Sequence, residues 1–270
     1  LILTWSAVAL ASGCCAPGGS AVPSVLGPEE RLAAGVVVSG SADLGAFTWD
    51  GRWVANPGVD AMGLLELVGL ARLGRRAQLG LGVPVTADIH QVGGLSSTGF
   101  GLGAVGAHAR WDADPVNCGE WSLRARPSLT VGLAAPPAHG EGWWTPTASA
   151  LWEGSHPKGV FTFGVTSKLP IGGALSLDGV SSLQYKVSDP VSLRGTARFT
   201  STIKGAASSV APVSWVPYLG AGVVWQPLPR LRSTFGVEAP LAVRRLGRDA
   251  IGDVTVTASV MLLRRSAMSK

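Results

Sequence analysis

The amino-acid sequence predicts an all-β protein: a closed antiparallel up-and-down transmembrane β-barrel of about twelve strands, with 10–14 compatible with the pattern. Three observations predict it. Apolar and polar residues alternate with period two, which sends successive side chains to opposite faces of a strand. The alternating segments run 10–15 residues, close to the ~9–11 that a tilted strand needs to cross hydrocarbon and well beyond the ~5–6 of globular strands. Finally, 46% of the chain is apolar and the mean hydropathy is +0.31, yet no run of 18 or more residues is apolar enough for a membrane helix. The most apolar late stretch, 210–225, is broken by Pro212, Ser214 and Pro217.

Hydrocarbon tolerates no unpaired sheet edge, because each backbone N–H and C=O must find its partner within the protein; long strands with an outward apolar face must therefore close. The 37 glycines among 270 residues, about twice the usual share, suit a sheared barrel in which backbones approach closely and corners bend. They carry no G-X-Y period, so collagen is excluded, and a chain this apolar is not a disordered one.

The elements follow in chain order. Residues 1–21, LILTWSAVALASGCCAPGGSA, pair an apolar stretch with small residues and read as an export signal with a truncated start, followed by a leader. Cleavage fits after Gly13 or after Ala21, and Cys14, in Ala11-Ser12-Gly13-Cys14, is a candidate for acylation. If Cys14 and Cys15 leave with the leader, Cys118 stands without a disulfide partner or metal-site spacing. Residues 22–30 are expected as an N-terminal periplasmic segment, 31–264 as the barrel and 265–270 as a basic tail.

Twelve segments alternate within the barrel: near 31–44, 62–73, 76–89, 100–112, 121–134, 143–153, 159–169, 174–187, 191–202, 214–226, 230–243 and 250–264. In 78–92, Leu79, Leu81, Val83, Val85, Ala87 and Ile89 oppose Gln78, Gly80, Gly82, Thr86, Asp88 and His90. In 121–134, Leu123, Leu129, Val131 and Leu133 oppose Arg124, Arg126, Ser128 and Thr130. Turn-rich short links near 74–75, 153–159, 188–190 and 226–229 contrast with longer ones at 45–61, 90–99, 134–142 and 203–213, matching short periplasmic turns and long outer loops. Pro84, Pro127, Pro146, Pro217 and Pro240 each remove a ladder donor, so they mark bulges or strand ends.

Trp111, Trp121, Trp144, Trp152, Trp215 and Trp225 fall at segment ends. Rings with one wet edge belong at the two membrane interfaces, as an aromatic girdle; the competing reading is capping of a soluble core. On the polar faces, register places Arg110, Arg124, Arg126, Arg194, Arg198, Asp88, Asp178 and Glu238 as a pore lining. Arg110, Arg124 and Arg126 lie on neighbouring segments, so they are expected to form a cationic wall whose field favours anions or polar solutes. The competing reading is a set of salt bridges filling a narrow barrel.

Catalysis is not expected. The histidines are His90, His108, His139 and His156, and the chain carries neither a GxSxG motif nor paired metal-spaced histidines. Asp88 and His90 form the best local pair, read as solvated lumen or rim residues rather than part of a triad. No cofactor or metal is expected. The net charge is +5, but the cations are scattered rather than gathered in a stripe, so nucleic acid is not an expected partner. Membrane lipids and lipopolysaccharide are.

At 218–243, YLGAGVVWQPLPRLRSTFGVEAPLAV, with IGDVTVTASVMLL at 251–263 and GFGLGAVGAHARW at 99–111, the chain resembles outer-membrane barrels of the phenol-degradation meta-pathway transporter type. The resemblance rests on a Gly-rich strand, a short turn at Gln226-Pro227 and a Gly252-Asp253 pair entering the last segment. It implies insertion into the bacterial outer membrane by the assembly machinery and passage of small, often hydrophobic, molecules. The expectation is a channel or transporter for small solutes with a polar, partly cationic lumen. A non-conducting structural or adhesion barrel with binding loops, and after it a lipid-modifying barrel enzyme, are the rivals.

Overall fold

A computed structural model describes residues 26, 30–47, 52–56, 58–92, 95–114, 116–118, 123–135, 144–156, 158–169, 171, 175–203, 214–241 and 251–265. The strands are β1 (Glu30–Phe47), β2 (Trp53–Ala55), β3 (Val59–Leu73), β4 (Ala77–Val92), β5 (Leu95–Leu102), β6 (Gly106–Asp112), β7 (Val116–Cys118) and β8 (Leu123–Ala134). They continue as β9 (Thr145–His156), β10 (Gly159–Lys168), β11 (Leu175–Lys186), β12 (Val191–Ile203), β13 (Ser214–Leu228), β14 (Leu231–Pro240) and β15 (Ile251–Arg265).

Each strand pairs antiparallel with its neighbours, and β15 returns to β1, from Leu32↔Arg264 to Ala46↔Ile251, closing the sheet. The fifteen segments make twelve staves. β2 extends β3 along β1, while β5, β6 and β7 are pieces of one stave between β4 and β8. Proline accounts for both breaks in that stave. Pro84 lies opposite the break between β5 and β6, where the Gly103 N–H donates to its C=O at 2.9 Å. Pro127 lies opposite the break between β6 and β7, where the Ala113 N–H donates to its C=O, also at 2.9 Å. The missing proline N–H is thus met by a bulge in the partner stave rather than by an orphan carbonyl.

The connections at 74–76, between His156 and Gly159, at 187–190 and at 229–230 lie at one end of the barrel, together with Glu30 and Arg265. Gly74, at φ 68°, supplies the left-handed residue that the first of these tight turns requires. One expectation is corrected. The link at 90–99 is no open loop: β4 runs to Val92 and pairs with β5 from Leu95, in register Val92↔Leu95. Polar residues such as His90, Ser96 and Ser97 read as loop from sequence, but here they extend the barrel beyond its apolar band.

The two faces invert the arrangement of a water-soluble protein. Outward positions are exposed and apolar, among them Leu65, Leu67, Leu81, Leu129, Val131, Phe163, Leu193, Phe235 and Leu262. Inward positions are buried and polar, among them Gln78, Thr130, Thr147, Ser149, Thr166, Ser182, Thr257 and Ser259. An apolar surface that girdles the molecule is stable only if its solvent is hydrocarbon. Among the described residues no helix is long and apolar enough to cross a membrane; the strands do the crossing.

Candidate functional site: the lumen and its ends

The described tryptophans of the barrel stand near its two ends. Trp111, Trp152 and Trp225 are outward and about half exposed near the short-turn end, where Tyr185 joins them, while Trp144 stands at the long-loop end. Trp215 occupies a register position near the same end, opposite Ser201. Trp121, Cys14 and His139 lie outside the described residues.

Inside, the wall formed by β11 to β14 carries cations, each beside an acid. The Arg198 guanidinium lies 3.3 Å from Glu238, an ion pair without hydrogen-bond alignment, and stacks 4.1 Å above the Tyr218 ring. Thr196 donates to the other Glu238 oxygen at 3.2 Å. Arg194 lines a cavity of about 40 Å³ on this wall with Thr196, Glu238, Thr255 and Thr257, room for about one water rather than an organic solute. Across the neighbouring ladder Lys168 pairs with Asp178 at 2.9 Å.

The arginines expected as a cationic wall are spread along it. Arg110 does face the interior, but its register partner is Thr130, four residues from Arg126 on β8, or about 13 Å along the strand. Its Nε meets Asp112 at 2.5 Å, and Arg72 reaches the other Asp112 oxygen at 3.4 Å. Arg126 faces inward with Glu153 in the opposite register position. Arg124 holds a β8 position beside it, with its side chain outside the described residues. Register alone had grouped these arginines without the acids that hydrogen bonding brings to them.

The wall of β1, β3 and β4 differs. At its long-loop end His90 sits between two carboxylates, Nδ1 at 2.7 Å from Asp60 and Nε2 at 3.2 Å from Asp88. Asp43 completes this mouth on β1, accepting from the Gly45 N–H at 2.7 Å and the Asn56 amide at 3.2 Å. Sequence reading paired Asp88 with His90 but missed Asp60; the signal is cross-strand, Asp60↔His90. Ser97 on β5 occupies the next register position from His90. With both imidazole nitrogens facing carboxylates, the ring is not free to take a serine proton, so the trio is not a hydrolase triad. Midway down the same wall is Glu66, 1% exposed, with neither carboxylate oxygen hydrogen-bonded. It escaped sequence reading because its segment, LLELVGLA, is almost wholly apolar.

The short-turn end is occupied. Leu26 belongs to the segment expected outside the barrel, yet it is 1% exposed and packs on the inward-facing Ala33, Leu70, Met261 and Leu263. Its N–H donates to Gln78 at 3.1 Å, and its C=O accepts from Arg72 at 2.7 Å. Arg72 also donates to the Glu30 carbonyl at 3.2 Å, and Gln78 to Asp112 at 2.9 Å. Apolar residues on an otherwise polar inner face thus form the receptor for one leucine, while buried side chains satisfy its backbone.

At the turn between β11 and β12, the hydrogen bond from Lys186, 2.7 Å away, and then its charge hold the Asp189 carboxyl below the usual carboxylate range. Among the described residues no cluster of His, Cys, Asp and Glu could hold a metal ion.

The chain matches no protein-family model and no curated protein. Its fold is similar to that of an outer membrane channel from Pseudomonas putida F1, at TM-score 0.67 and 14% identity over 88% of this chain and 97% of that one. It is also similar to the transport unit of the autotransporter AIDA-I from Escherichia coli, at TM-score 0.50 and 10% identity over 91% and 93% of the two chains. Identities this low speak to the fold: a twelve-stave outer-membrane type of barrel, spanned almost end to end.

Proposed function

We propose that the protein is a passive channel of the bacterial outer membrane, carrying small solutes along its polar interior. The observation that carries this reading is the closed barrel that is apolar outside and lined inside by threonine, serine and charge pairs. The pore-lining set is Asp88, Arg110, Arg126, Asp178, Arg194, Arg198 and Glu238, with Asp60 and Glu66 added and Arg124 placed there by register. Lipopolysaccharide around the long-loop end and the outer-membrane assembly machinery are the partners this placement implies.

The two walls of the lumen differ in charge. Arg72, Arg110, Lys168 and Arg198 stand beside acids, while the wall with Asp43, Asp60, Glu66 and Asp88 has no Lys or Arg between Arg31 and Arg52, Arg52 and Arg72, or Arg76 and Arg110. That wall favours cations over anions. A second, non-conducting reading is supported by Leu26, which occupies the short-turn end. Planar-bilayer recording of the wild type and of Leu26→Asp separates the two. Unitary currents, larger in the variant, are expected; silence of both sinks the channel reading.

A further inference from the structure

Glu66 presents a problem that the rest of the lumen does not. The described acids at the ends and on the opposite wall have partners: Asp112 has Arg110, Arg72 and Gln78, Asp178 has Lys168, Glu238 has Arg198 and Thr196, and Asp60 has His90. Glu66 is equally buried, and both its oxygens lack a hydrogen-bond partner. A buried carboxylate left this way is costly, and such groups call for an explanation in what uses them.

The surroundings say what would satisfy it. Glu66 points to the interior midway along β3, with Val37 and Pro84 in the flanking register positions and Leu64 and Val68 next inward on its own strand. Val37 and Pro84 are fully buried and Leu64 nearly so. Gly82 of β4 and Gly35 of β1, the adjoining inward positions on the short-turn side, add no side-chain polar atoms, while Ser39 and Thr86, beside Leu64 on the mouth side, add one hydroxyl each. These neighbours offer no oxygen cage, which hard metal ions need. They do offer an apolar bed around one two-oxygen acceptor. A primary ammonium brings three donors on a compact charge, and such charge-assisted bonds are the strong ones. The acids of the mouth, Asp88 about 13 Å and Asp43 and Asp60 about 20 Å above along β4, β1 and β3, would concentrate cations on the approach.

We propose that Glu66 is a lumenal binding site for an organic ammonium, with the carboxylate taking the amine and Val37, Leu64 and Pro84 taking its apolar body. The site rests on reading the interior as a solute path, but its test does not use conductance, so the two readings fail separately. The full chain, purified in detergent, is titrated calorimetrically with butylammonium, butanol and butyrate. Saturable binding of butylammonium is expected, at least tenfold tighter than the two controls. Glu66→Gln should weaken butylammonium at least tenfold, while Glu66→Asp, which keeps the charge, should retain most of the affinity. The comparison of the three ligands on the wild type stands even if Glu66→Gln does not fold. No saturable binding of butylammonium, equal binding of butanol, or undiminished binding by a folded Glu66→Gln overturns the proposal.

Discussion

The two halves of the lumen handle buried charge in opposite ways. On the wall from β10 to β14 the inward cations have acids nearby: Lys168 has Asp178, and Arg198 has Glu238 and stacks over the Tyr218 ring. On the wall of β1, β3 and β4, Asp60 and Asp88 share His90 at the mouth, Glu66 has no hydrogen-bond partner, and no lysine or arginine of these strands lies between that mouth and the short-turn end, where Arg72 stands. The first wall is a self-neutralised surface. Its charges hold strands together and leave little field for a solute. The second leaves Glu66 uncompensated, and such a charge costs the fold rather than holding it. The difference separates charges that build the barrel from charges that face what passes through it.

Breaking the paired network at the short-turn end should cost most. Arg72→Met strips the Leu26 and Glu30 carbonyls and Asp112 of a donor, so a loss of about 3 kcal/mol or more is expected, the usual result of removing one member of a buried ion pair. Reversible unfolding in urea with lipid vesicles measures it, and a loss below about 1 kcal/mol would demote the network. Glu238→Ala should cost about 2–3 kcal/mol by orphaning Arg198 and Thr196. Glu66→Gln should move the other way or not at all, since it removes an unpaired buried charge. If Glu66→Gln costs as much as Glu238→Ala, the contrast between the walls fails. The smallest effect belongs to Asp189. Its lowered carboxyl would stabilise the fold above the unfolded-state pKa and lose that contribution as pH falls through the folded value. The group is fully exposed, so water screens the pair, and Asp189→Asn should leave the unfolding midpoint and its acid dependence unchanged.

Much of the architecture was legible in the sequence because period two encodes it directly. Leu79 and Leu81 face out and Gln78 faces in as alternation requires, and Pro84 and Pro127 sit at ladder breaks because neither can donate. The charged site was legible only in part. Alternation says that Arg110 and Arg198 face inward; it does not say that Asp112, two residues on, or Glu238, two strands away, reaches them. That information lies in register between strands, which sets Asp60 beside His90. Two features left no periodic mark. Glu66 is a single acid in an apolar run, and Leu26 precedes the first alternating residue.

Ion selectivity distinguishes a lumen that favours cations from one that favours anions. The protein is reconstituted in a planar bilayer under a potassium chloride gradient, and the reversal potential is read. Unitary currents are expected with a potential displaced toward that of potassium, because the acids on β1, β3 and β4 outweigh arginines already paired. A displacement toward chloride would contradict this, returning the lumen to the cationic wall expected from sequence.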